Sequence, residues 1–179
     1  GSITTVQVGA MGKVEMLAGC AERVVVLEDA AAHVLDATAT RRLATLPSPS
    51  GSARVDVSAG GRWVAFSTTG RGTNADELAS APVLIFDLEA ATPEPRVVTI
   101  AGRSKALRFS SDGRRLFVGS SSQQLLVVDV EGTRSTVELV RDDDDDAGLA
   151  RLAHRGNVKA LAVSRDGARL YSCGELSEQ

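Results

Sequence analysis

The amino-acid sequence predicts an all-β fold made of short antiparallel strands that recur as a unit along the chain. Two observations predict it. Residues 110–120 read SSDGRRLFVGS and residues 164–174 read SRDGARLYSCG, so a Ser-x-Asp-Gly turn followed by an Arg-Leu-aromatic strand start occurs twice, 54 positions apart. Around these turns apolar and polar residues alternate with a period of two, as where Leu107 and Phe109 flank Arg108, and no helical period intervenes between the units. A motif that does chemistry is needed once, whereas a repeated one points to architecture.

Taken in order, Ile3 to Val8 reads as a strand ahead of the first unit. That unit runs from Val14 through Leu46, with Val34-Leu-Asp36 as its third strand and Arg42-Leu-Ala-Thr-Leu46 as its fourth. The second runs from Ala53 to Ile100: Val55-Asp-Val-Ser-Ala-Gly-Gly61 is an earlier copy of the turn, and Arg62-Trp-Val-Ala-Phe66, Leu84-Ile-Phe-Asp-Leu88 and Arg96-Val-Val-Thr-Ile100 follow. The third, Ser104 to about Val140, holds Lys105 to Gly113, Arg114-Arg-Leu-Phe-Val118, Leu126-Val-Val-Asp-Val130 and Thr136-Val-Glu-Leu-Val140. A fourth opens at Val158 and stops after two strands, the second being Ala168-Arg-Leu-Tyr-Ser172. The turns Asp112-Gly113 and Asp166-Gly167 have a mechanism. Ser and Asp side chains bond nearby backbone N–H groups, and glycine accepts the positive φ without a Cβ clash. An aspartate also closes each third strand, at Asp36, Asp87 and Asp129.

Four short strands per unit describe the blade of a β-propeller. The expected blades are 14–46, 53–100, 104–140 and 158–179, the last incomplete, within a single partial-propeller domain spanning 1–179. The chain resembles the WD40-repeat family, whose units end a third strand in Trp-Asp and begin the next unit with Gly-His. Leu35-Asp36, Phe86-Asp87 and Val128-Asp129 keep the aspartate and replace the tryptophan, and Ala153-His154 stands where Gly-His would, before Arg-Gly-Asn-Val-Lys-Ala-Leu161. The resemblance implies that His154 is a blade-turn histidine. It spans nearly the whole chain through degenerate motifs. No blade holds the family's full His, Ser/Thr, Asp and Trp network, since GSSSQQ at 119–124 lacks the turn aspartate, so aliphatic packing has to carry blade rigidity.

Propellers close with roughly four to eight blades. About three and a half form an arc whose apolar end faces and bare strand edge need cover. The missing blades come from the rest of a longer chain, from a second copy or from a partner protein. A fragment of a longer protein is the reading favoured here, with the edge after residue 174 as the interaction surface.

Composition narrows the function classes. Lys and Arg number 20 against 23 Asp and Glu, giving a net charge of −3, and no basic run exceeds two residues, so direct nucleic-acid binding is not expected. The longest apolar runs fall far short of the roughly 20 residues that cross a bilayer, so no membrane contact is expected. No secretory signal opens the sequence. Cys20 and Cys173 are too few for a disulfide framework and too isolated for a zinc site, which predicts an intracellular setting, cytoplasmic or nuclear, and two small buried hydrophobes.

The run Asp142, Asp143, Asp144, Asp145 and Asp146 invites a calcium reading, but lacks the turn glycine and the closing Glu that such a loop needs. A solvated acidic loop, with a docking strip for a basic partner as its functional form, is expected instead. GAMGKV at 9–14 lacks the first glycine and the final Ser or Thr of a phosphate loop and reads as a strand turn. His33 is expected at the surface or a strand end, with no catalytic role. Trp63 beside Arg62 is either an exposed partner anchor or core against the neighbouring blade. Segments 67–81 and 141–153 are longer than ordinary connections.

The function expected is a non-catalytic scaffold module that mediates protein–protein interaction within a larger assembly. No catalytic residue, cofactor or metal is assigned. The alternative is an accessory propeller subunit of an RNA-processing or RNA-modifying complex.

Overall fold

The computed structural model describes residues 16–28, 31–47, 52–68, 82–132, 137–139 and 156–174. Within them the chain is all β, with no helix. The first sheet contains β1 (Met16–Gly19), β2 (Arg23–Leu27), β3 (Ala31–Asp36) and β4 (Arg42–Pro47). The second contains β5 (Ser52–Val57), β6 (Trp63–Thr68), β7 (Val83–Asp87) and β8 (Arg96–Val98). The third contains β9 (Ser104–Phe109), β10 (Arg115–Ser120), β11 (Leu125–Asp129) and β12 (Val137–Leu139), and β13 (Val158–Val163) pairs with β14 (Leu170–Gly174). The first three are four-stranded with neighbours in chain order, and β13 and β14 make a two-stranded sheet. Every pairing is antiparallel, and no sheet closes into a barrel.

The outer strand β8 is three residues, shorter than the sequence suggests, although Ile100 beyond it still buries its side chain. Of the strand expected at 136–140, Val137–Leu139 is described, as β12, and the residues on either side lie outside the described residues. The expected strand at Ile3–Val8 lies outside the described residues.

The sheets pack face to face in chain order through their first strands. β1 and β2 touch β5, β5 and β6 touch β9, and β9 and β10 touch β13. Alternation along each strand supplies both faces. Val57, Val64, Phe66 and Phe86 point from the second sheet to Val25, Leu27, Ala32, Val34 and Leu46 of the first. Ala65, Val83 and Ile85 point the other way, to Leu107, Phe109, Leu116, Val118, Leu126 and Val128 of the third. The side chains of VLIF at 83–86 are therefore apolar at every position because the strand is covered on both sides. Phe66 and Phe86 lie with ring centroids 5.4 Å apart at 50°, a tilted pair across β6 and β7. Truncating fully buried Phe66 to alanine is expected to cost about 3–5 kcal/mol.

Close approach of the third sheet to β13 depends on one missing side chain. A Cβ added to Gly119 in β10 would stand 2.6 Å from Cγ1 of Val158. Gly119→Ala is therefore expected to lower stability by about 1–3 kcal/mol in urea melts, through overpacking. Adding Val158→Ala should recover part of that loss, so the double variant falls short of the sum of the singles.

Candidate functional site

The corner between the first and second strands is built from the same local chemistry in the second, third and fourth sheets. Ser110 accepts the Arg115 N–H at its Oγ (3.0 Å), Asp112 accepts the Arg114 N–H (3.0 Å), and Gly113 donates its N–H to the Ser110 carbonyl at φ 70°. Ser164, Asp166 and Gly167 repeat this, with Arg169 and Ala168 as the donors and φ 72° at the glycine. Ser58 accepts the Trp63 N–H (2.9 Å) and Gly61 takes φ 72°, with Gly60 in the aspartate's place. The corners also stack between sheets, Gly113 against Ser58 and Gly167 against Ser111.

The aspartates that close the third strands cap the following turns. Asp36 accepts the N–H groups of Thr40 and Arg41, Asp87 that of Glu89, and Asp129 that of Gly132. Asp87 has a second task. Arg62 donates to both of its carboxylate oxygens, pairs with Glu89 at 3.5 Å, and reaches Glu131 of the third sheet at 2.9 Å. The Arg62 guanidinium also lies 4.7 Å from the ring centroid of Trp63, which packs half-buried against the cluster between the second and third sheets. Trp63 thus serves both as partial core and as a platform for Arg62, and Arg62 is engaged within the chain.

Two further contacts tie the second and third sheets. Buried Asp56 on β5 accepts the Phe109 N–H at 2.7 Å, with Arg108 3.3 Å away. Arg96 donates to the carbonyls of Asp129 and Val130. Neither contact was visible in the sequence, because the partners stand 53 and 33 residues apart; a lone Asp between two valines in Val55-Asp-Val57 was the only signal.

A cleft of about 440 Å³ opens beside the third sheet's corner, lined by Asp112, Arg114, Arg115, Asp129, Glu131 and Gly132. Its acids are mostly committed: Asp112 to Ser110 and the Arg114 N–H, Asp129 to Gly132, Glu131 to Arg62. The sequence reading gave Asp112 and Asp129 turn roles and did not single out Arg114 or Arg115. Among the described residues, no group of three or more His, Cys, Asp or Glu side chains converges as metal ligands would.

Two expectations are corrected. His33 sits in the middle of β3 at 8% exposure, not at the surface or a strand end. It is enclosed because β3 lies between β2 and β4, and its ring finds Thr45 Oγ1 at 3.3 Å and Glu28 at 3.4 Å. Cys173 is exposed and Cys20 only half-buried, because alternation turns Cys173 to the face of β14 that no described strand covers. His154, Asp142 to Asp146, residues 9–14, and the parts of the two long segments at 69–81 and 141–153 lie outside the described residues.

The carboxylates titrate in opposite senses. Burial pushes Asp56 up, against the pull of the Phe109 N–H and Arg108. The Arg62 guanidinium holds Asp87 below the usual carboxylate range, and the Ser110 and Ser164 hydroxyls, with backbone N–H groups, do the same for Asp112 and Asp166. For Asp36 desolvation works upward, but the N–H groups of Arg41 and Thr40 outweigh it.

The sign of each effect follows. Lowered carboxylates stabilise the fold above the usual range and lose that contribution as pH falls through their folded values. Asp56 contributes the reverse, its penalty growing as pH rises through its raised value. Urea melts between pH 2 and 7 should therefore show Arg62→Gln losing stability near neutrality, with a smaller acid-induced drop remaining. Asp56→Ala leaves the buried Phe109 N–H unpaired and should cost about 1–3 kcal/mol at pH 7, whereas Asp56→Asn keeps an acceptor and should cost less. Thiol alkylation should label Cys173 well before Cys20.

No protein-family model matches this chain, and comparison with curated proteins finds no match.

Proposed function

We infer that the chain is a segment of a WD40-like β-propeller that acts as a non-catalytic scaffold for protein–protein interaction within a larger assembly. One observation carries this reading: successive antiparallel sheets stack in chain order, first strand against first strand, and the corners of the second, third and fourth sheets lie one against the next. That is the arrangement expected of blades around an axis. A fold does not fix a function. The interaction role draws its support from the surface of the two-stranded sheet. Ala106, Phe117 and Gly119 of the third sheet stand on the face that meets β13, and their counterparts Ala160, Tyr171 and Cys173 are all exposed, Tyr171 at 54%. An apolar face of this kind is suited to another sheet or partner.

The test is capture of a partner by the full chain, identified by cross-linking, alongside a Tyr171→Glu/Ala160→Arg variant. The interaction reading expects capture by the wild type and at least tenfold less by the variant. Equal capture by both, or a monodisperse monomer that unfolds cooperatively and takes no partner, overturns it. Class averages of the assembled particle should show a disc with a central hole.

A further inference from the structure

We propose that Asp112-Gly113 and Asp166-Gly167 are two latent isoaspartate sites, held unreactive by the Ser110 and Ser164 hydroxyls and open to modification whenever a corner unfolds locally. They are the chain's two Asp-Gly pairs. Such a pair is reactive because glycine has no side chain to hinder attack by its own amide nitrogen. At Asp112 the Gly113 nitrogen attacks Cγ of the protonated carboxyl, an N–Cγ bond forms, and the amide proton leaves with the carboxyl's hydroxyl as water. The product is a cyclic succinimide, which water then opens. Addition at Cγ restores aspartate. Addition at the main-chain carbonyl breaks its bond to the Gly113 nitrogen, so the backbone now runs through Cβ and Cγ and a free α-carboxylate remains. Water is the only co-reactant, and the net mass is unchanged.

The corner withholds both partners in this step. The Gly113 N–H donates to the Ser110 carbonyl at 2.9 Å, and that of Gly167 to the Ser164 carbonyl at 2.9 Å, so the proton each nitrogen must lose is engaged. Asp112 Oδ1 is held by the Ser110 hydroxyl and by the Arg114 N–H at 3.0 Å, which draws the carboxylate past the glycine to the residue beyond. Asp166 is held alike by Ser164 and by the Ala168 N–H at 3.0 Å. The same bonds, the serine hydroxyl foremost, keep both carboxyls below the usual range and hence in the ionised form, which lacks a leaving hydroxyl. Both aspartates are exposed, so water reaches them and the shield is the corner's own bonding. Opening a corner releases nitrogen and carboxyl together. An isoaspartyl link then keeps it open, because the extra backbone carbon separates Gly113 from Ser110 and the displaced carboxylate leaves the Arg114 N–H. Gly113 packs on Ser58 of the second sheet, so modification at Asp112 also disturbs a contact between sheets. The Ser58 corner, with Gly60 in the aspartate's place, keeps the same shape without the reactive pair.

The proposal is tested by incubating the full chain at neutral pH, folded or in guanidinium chloride, and then labelling it with an isoaspartate-specific carboxyl methyltransferase and a radioactive methyl donor. Peptide mapping places the label. Both sites should label in the unfolded chain, and at least about tenfold more slowly in the folded one, where reaction waits on local opening. Ser110→Ala should raise the folded-state rate at Asp112 about two- to tenfold, the change in opening that one ordinary hydrogen bond gives, while Asp166 keeps its rate. Ser164→Ala should do the converse. Ser110→Thr keeps a hydroxyl and should stay within about twofold of the wild type. Asp166→Gly, copying the Ser58 corner, should remove the label from that corner alone. Equal labelling of folded and unfolded chain, or no label at either site when unfolded, overturns the proposal. So does a Ser110→Ala rise shared equally by both corners, or one matched by Ser110→Thr.

Discussion

A β-sheet apolar on both faces has to be covered twice, and the arrangement of this chain follows from that requirement. The second sheet is the plainest case, with Val64, Phe66 and Phe86 directed to one neighbour and Ala65, Val83 and Ile85 to the other. Such a sheet is a layer between layers, so the next unit in the chain has to arrive at the same spacing and orientation as the last. First strands then crowd together. That crowding explains why Gly119 stands opposite Val158, and why a carboxylate on β5 finds a backbone N–H on β9.

Polar groups follow the same geometry. An aspartate at a corner sits in water with N–H groups and a hydroxyl around it, so its charged form is favoured, as at Asp112 and Asp166. An aspartate between two sheets loses water, and although it gains backbone N–H bonds and an arginine 3.3 Å away, burial prevails, as at Asp56. Asp56 spends stability to fix the register of two sheets, because only one sliding position places its carboxylate against the Phe109 N–H. The corner aspartates stabilise single turns and place no demand on the neighbouring sheet.

This division also explains what could be read from the sequence. The corners and the third-strand aspartates were legible because their partners lie within five residues, where spacing alone implies contact. Strand alternation was legible for the same reason. The Arg62–Glu131 pair spans 69 residues, and it exists only because two sheets stack. His33 and Cys173 were misjudged on the same account. A histidine between valine and alanine carries no sign that strands will flank it on both sides, and a cysteine at a strand end looks buried unless the outer face of that strand is known to lack cover.

The Ser58 corner separates what such a turn needs from what it merely uses. Gly60 stands there in place of aspartate, yet the Ser58 hydroxyl takes the Trp63 N–H at 2.9 Å, matching 3.0 Å at Ser110 and 2.9 Å at Ser164, and the glycine φ stays within 2° of the others. Serine and glycine therefore define the corner, and aspartate adds one further N–H contact. The same separation applies at Leu35, Phe86 and Val128, three different apolar side chains each buried directly before a third-strand aspartate. The layers hold whichever apolar side chain fills that place, since burial on two faces asks only for apolar volume at the right parity.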